Sequence, residues 1–158
     1  MKTLVLGLGN ELYGDDGVGI HVVRKLKQEL EPKKKTQPWL EKVDFEECSV
    51  SGLALLEVIT GYDRLIIIDT IKKLNPITGR VRILEGNELR HIPGPSPHYV
   101  SVPQTLEIGQ NIGLKVPSEI RIVAVEAKNL YNLGERLTDE MKKAIPVIIN
   151  KAIEILKK

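Results

Sequence analysis

The sequence predicts an α/β doubly wound domain: a mostly parallel sheet, helices on both faces, and one antiparallel strand at its edge. Three observations carry that prediction. Two nearly continuous apolar runs, Thr3–Leu8 and the Leu65-Ile66-Ile67-Ile68 stretch, have the form of parallel strands covered on both sides. Segments with strand-like and helix-like patterning alternate along the chain. The strands at residues 64–69 and 80–84 are separated by about ten residues, fewer than the dozen or more of a parallel crossover, so that pair should be antiparallel.

Each element has its own signal. After the first strand, Asp16 or a neighbour should open a helix, because Val18, Val22, Leu26 and Leu30 recur at four-residue spacing. Asp15 or Asp16 would cap it. A second strand is expected at Val43–Cys48. Ser51 can cap a second helix whose apolar face holds Leu55, Leu56 and Ile59. The third strand should stop at Asp69, where four apolar residues give way to a carboxylate. Asn75, Pro76 and Gly79 mark a turn, and Arg80, Val81, Arg82 and Ile83 alternate as an edge strand with one wet face would. Residues 86–101 read as a long loop rich in Gly and Pro, followed by a short helix from Pro103 to about Asn111. A last strand is expected at residues 119–125. A closing helix should begin after Thr138, with Pro146 kinking or dividing it.

The 158 residues suit one domain spanning residues 1–158, with 42% hydrophobic and 28% charged residues typical of a globular protein. A net charge of +2 gives no electrostatic basis for nucleic-acid binding. Cys48 is the only cysteine, so no intramolecular disulfide or thiolate metal cluster can form, which fits a reducing cytoplasm. The apolar Leu4 to Leu8 run is too short for a signal peptide, and no stretch approaches a membrane span. A cytoplasmic protein with no membrane and no nucleic-acid partner is expected.

The chemistry should gather at the carboxyl edge of the sheet, where open α/β domains bind ligands. Gly7-Leu8-Gly9 starts like a dinucleotide fingerprint, but Leu12 stands where the third glycine belongs, and two carboxylates at the helix start would repel a pyrophosphate. One aspartate suffices for a cap, so the second has another use. Asp69 ends a buried run and should therefore have a partner or a metal. His98 precedes the helix that feeds the last strand; if that strand is parallel to the first, His98 lies at the same edge. Asp16, Asp69 and His98 are thus the candidate catalytic and metal-binding residues, two carboxylates and an imidazole suited to zinc or a similar divalent ion with a coordination position left open. His91 is the rival ligand, and His21 reads as a helix-surface residue. Serine-hydrolase and zincin motifs are absent from the sequence, and Cys48, ending what reads as an internal strand, suits packing better than catalysis.

The opening Gly7-Leu8-Gly9-Asn10 with Asp15-Asp16-Gly17-Val18-Gly19, the strand Leu65-Ile66-Ile67-Ile68-Asp69, the Pro97-His98 pair and the closing Leu137-Thr138-Asp139-Glu140-Met141 resemble the hydrogenase maturation endopeptidases. That resemblance covers nearly the whole chain. It implies a three-layer, five-stranded twisted sheet with helices on both sides, and it implies that Asp16, Asp69 and His98 occupy the family's metal-binding positions. It further implies an endopeptidase that removes the C-terminal extension of a nickel–iron hydrogenase large-subunit precursor after nickel insertion. The metal would be nickel supplied by the precursor or a zinc-like ion, and the enzyme a monomer whose partner is that precursor. Two alternatives stand beside it: a non-catalytic nickel-binding assembly chaperone that uses the same three ligands, and a nucleotide-binding regulatory domain.

Overall fold

The computed structural model describes the chain from Met1 to Lys158 apart from residues 51–52, 87, 89–96, 129, 131 and 135 and the side chains of residues 97–101. Five strands form one sheet: β1 (Thr3–Leu8), β2 (Val43–Cys48), β3 (Arg64–Ile71), β4 (Val81–Glu85) and β5 (Glu119–Glu126), in the order β2-β1-β3-β5-β4. The pairs β1–β2, β1–β3 and β3–β5 are parallel, whereas β4 runs antiparallel to β5 at the edge. The short connection after β3 has that consequence. Gly79, at φ 90°, and Asn75, at φ 52°, supply the left-handed backbone that turns the chain back.

Helices α1 (Val18–Leu30) and α4 (Asp139–Leu156) cover one face, and α2 (Ala54–Ile59) and α3 (Pro97–Asn111) the other. The four-residue stripe Val18, Val22, Leu26, Leu30 shares one core with Val5, Ile66, Ile68, Val123 and Val125. On the opposite face Leu4, Leu6, Leu65, Ile67 and Ile122 meet Leu55, Ile59, Val102 and Leu106. Strand alternation thus sends successive side chains of β1, β3 and β5 into two separate cores, which is why Leu4-Val5-Leu6, Leu65-Ile66-Ile67-Ile68 and Ile122-Val123-Ala124-Val125 are apolar without a break.

Several boundaries differ from the sequence expectation. Strand β3 runs two residues beyond Asp69, through Thr70 and Ile71, so Asp69 lies within the strand. Helix α3 starts at Pro97, not Pro103, and so includes His98 in its first turn. Pro97 can open a helix because its missing N–H would be unpaired there anyway, and Pro103 is carried inside. Strand β2 is an edge strand, not an internal one. Helix α4 continues through Pro146, which sits on the exposed side where water can satisfy the carbonyl it leaves unpaired. Helix α4 begins after Thr138 as expected, and Thr138 caps it, its Oγ1 accepting from Met141 N at 3.3 Å. Ser51, the expected cap of α2, lies outside the described residues. No helix among the described residues is long and apolar enough to cross a membrane.

Candidate metal and active centre

The chain leaves β1 at Gly9, whose φ of 148° is available only to glycine. A Cβ there would meet the Asp16 carbonyl oxygen at 2.0 Å. That close approach folds residues 10–17 down over the carboxyl end of β1, with Gly14–Gly17 as a single 3-10 turn. Gly19 does the same for α1: a Cβ would lie 2.2 Å from the Ile68 carbonyl oxygen, so the helix start rests directly on the backbone of β3. The opening glycines therefore serve contact between backbones.

Neither aspartate caps α1. The cap position is Gly17, with no side-chain hydrogen bond, because the 3-10 turn intervenes and carries both carboxylates to other donors. Asp15 is buried and accepts from Thr138 N at 2.8 Å and Thr138 Oγ1 at 2.9 Å, tying the turn to the start of α4. Asp16 is also buried; its Oδ2 accepts from Asn10 N at 3.0 Å and its Oδ1 from Thr70 Oγ1 at 3.0 Å.

Asp69 is fully buried, and its Oδ1 accepts from Thr70 N at 2.7 Å. Alternation places Asp69 with Leu65 and Ile67 on the α2/α3 face of β3, while Thr70 follows Ile66 and Ile68 on the α1/α4 face. Thr70 therefore touches both carboxylates. A strand that ends at Asp69 leaves Thr70 in a loop, so the sequence pattern conceals this residue; a threonine following an apolar strand is its one signal.

His98 opens α3, which packs on the same face of the sheet as Asp69. Because α3 leads to the start of β5, which is parallel to β3, its first turn stands at the carboxyl edge. The His98 side chain and the whole of His91 lie outside the described residues, and among those described no group of three or more His, Cys, Asp or Glu gathers to hold a cation. Asp16 and Asp69 are the two candidates that share a partner.

Beside them, Asn10, Glu11, His21, Glu47 and Cys48 line a cleft of about 530 Å³. Arg24 bridges its acidic walls, with Nε at 2.9 Å from Glu47 and one terminal nitrogen at 3.0 Å from Glu11. This guanidinium holds the Glu11 carboxyl below the usual range. His21 Nε2 is 3.5 Å from Glu11 Oε1, so His21 flanks this ion-paired group. Burial pushes the Cys48 thiol up, and its Sγ donates to the Val50 carbonyl at 3.6 Å, which leaves it protonated and unsuited to nucleophilic attack at neutral pH.

Comparison with known proteins extends this picture. A family model for hydrogenase maturation proteases (HycI) matches residues 20–155. The chain is 26% identical over 160 residues to a hydrogenase expression/formation protein, HupD, of Rhizobium leguminosarum, covering 99% of this chain and 74% of HupD. The solved hydrogenase maturating endopeptidase HybD of Escherichia coli shares the fold, with a TM-score of 0.81 at 24% identity over 99% of this chain and 93% of that one. The [NiFe] hydrogenase maturation protease HybD of Thermococcus kodakarensis is 26% identical with a TM-score of 0.74, each chain covered to 99%.

Proposed function

The chain belongs to the hydrogenase maturation protease family and is a peptidase, and from that premise we propose that it removes the C-terminal extension of a nickel–iron hydrogenase large-subunit precursor once nickel is in place. Asp16, Asp69 and His98 engage the metal, and the whole chain acts as one cytoplasmic domain. The observation that carries this reading is the convergence of Asp16 and Asp69, from two distant segments, on Thr70 at the carboxyl edge of the sheet.

The donor chemistry fits a divalent cation. An ionised carboxylate has about four acceptor sites, and each oxygen of Asp16 accepts one described hydrogen bond, leaving capacity on both. An imidazole from the first turn of α3 would complete a mixed oxygen–nitrogen set suited to nickel or zinc. A cation held there supplies Lewis-acid polarisation of a carbonyl or of water. The chain's own residues contribute position: Asn10 N–H and Thr70 Oγ1 orient Asp16, Thr70 N–H orients Asp69, and Asp15 fixes the turn against α4. Nickel already inserted in the precursor is then part of the substrate, and its absence removes the attraction that two carboxylates offer.

The test is to incubate the protein with precursor prepared with and without nickel and to follow the large-subunit mass. The reading predicts release of a short C-terminal peptide from the nickel-loaded precursor alone. Equal processing of both would overturn the dependence on nickel, and no processing of either would favour a chaperone.

A further inference from the structure

We propose that Thr70 is the positioning residue of this site, holding the Asp16 and Asp69 carboxylates in one fixed relation through its hydroxyl and its amide. The inference rests on the reading that these two carboxylates work at one centre. The hydroxyl donates to Asp16 Oδ1 at 3.0 Å, and the backbone N–H donates to Asp69 Oδ1 at 2.7 Å. One residue thus joins a carboxylate from the turn before α1 to a carboxylate from β3 itself.

The surroundings of Thr70 argue that its hydroxyl is there for Asp16. Thr70 is fully buried in the middle strand of the sheet, on the face where β3 otherwise presents Ile66 and Ile68. Valine has the same branched shape, favours strands equally, and has no polar atom to remove from water. A hydroxyl is favourable in such a place only when it has a partner, and the partner here is Asp16 Oδ1. Branching at Cβ also stiffens χ1, so the Oγ1 position follows directly from the strand backbone. The Asp16 carboxylate is therefore referenced to β3, the strand that carries Asp69.

The two ties are separable by mutation. Any residue at position 70 except proline keeps the backbone N–H that donates to Asp69 Oδ1, so changing the side chain releases Asp16 alone. Without the hydroxyl, Asp16 retains the Asn10 N–H among its described partners and can turn about that single anchor.

The experiment compares Thr70→Val, Thr70→Ser and Asp16→Asn in the full chain, with nickel-loaded precursor as substrate, measuring kcat, KM and thermal unfolding. Thr70→Val should lower kcat by about tenfold or more, the loss expected for one hydrogen bond to a charged group, with KM changed less than about twofold. Thr70→Ser should recover most of that kcat, because it restores the donor and lacks only the methyl group. A merely structural role would lower the melting temperature and leave kcat of the folded fraction unchanged. Wild-type kcat in Thr70→Val, or equal loss in Thr70→Ser, overturns the proposal. If Thr70→Val does not fold, Thr70→Ala and Thr70→Ser are compared instead, and equal kcat in that pair overturns it too. Asp16→Asn separates the two readings: if it cleaves normally, the assignment of the site has failed, whereas an inactive Asp16→Asn beside a fully active Thr70→Val refutes only the role of Thr70.

Discussion

Replacing Gly19 with alanine sets two effects of opposite sign against each other. Gly19 is the second residue of α1, and helix propensity alone would make alanine stabilising by up to about 1 kcal/mol. The structure predicts the reverse. The added Cβ would lie 2.2 Å from the Ile68 carbonyl oxygen and 2.5 Å from that of Leu8, both backbone atoms of the sheet. Ordinary van der Waals contact begins near 3.5 Å, so the start of α1 must lift by roughly an ångström. Overpacking of that kind costs about 1–3 kcal/mol, which for a domain of this size lowers the melting temperature by about 2–12 °C. The lift also carries the adjoining 3-10 turn away from β3, lengthening the bond between Asp16 and Thr70. Thermal unfolding followed by circular dichroism, with peptide release measured in parallel, should show both losses. A Gly19→Ala protein that melts at or above the wild-type temperature would refute the argument that α1 seats directly on the strand backbone.

Two further outcomes concern paired carboxylates and Cys48. Arg24 holds the Glu11 carboxyl below its ordinary value of 4.5, and Asp44 is likewise lowered, the hydrogen bond from Tyr62 and the charges of Lys34 and Lys2 outweighing its burial. Depressed folded-state values give stability that is complete above the unfolded values and lost as pH falls through the folded ones. Melting temperature should therefore hold from neutral pH to about pH 5 and fall below about pH 4.5, and Glu11→Gln should flatten part of that decline; an acid limb unchanged by Glu11→Gln would contradict the role given to Arg24. Cys48→Ala should keep kcat within about twofold while costing about 1 kcal/mol of stability from the small cavity it leaves. Loss of cleavage in Cys48→Ala without unfolding would contradict the packing role and point to the thiol as a nucleophile.

Much of this architecture is legible in the sequence because burial on both faces leaves an unmistakable mark. Leu4-Val5-Leu6 in β1 and Leu65-Ile66-Ile67-Ile68 in β3 are apolar without a break, and the short connection to β4 permits only the antiparallel return that is found. The features that differ depend on tertiary context. Asp69 and Thr70 look like the end of a strand because polar residues normally leave the core; here they stay inside it by bonding to each other's neighbourhood, Thr70 N–H to Asp69 and Thr70 Oγ1 to Asp16. Pro103 looks like a helix start because proline usually breaks a helix interior, yet α3 passes through it. Asp15 and Asp16 look like caps, but their donors come from Thr138, Asn10 and Thr70, none of which their own helix supplies. The edge position of β2 had a partial cue in the polar Asp44, Glu46 and Glu47, and strand order is otherwise not written in any one segment.

The central claim is that an imidazole from α3 joins Asp16 and Asp69 in one metal-engaging site of a processing peptidase. Cleavage of nickel-loaded precursor by His98→Ala, followed by mass, tests it most directly. His98 stands in the first turn of α3, ahead of the Val102 and Leu106 that anchor the helix in the core, so the variant should melt close to wild type. It should release no C-terminal peptide. A folded His98→Ala protein that processes the precursor at the wild-type rate would contradict it.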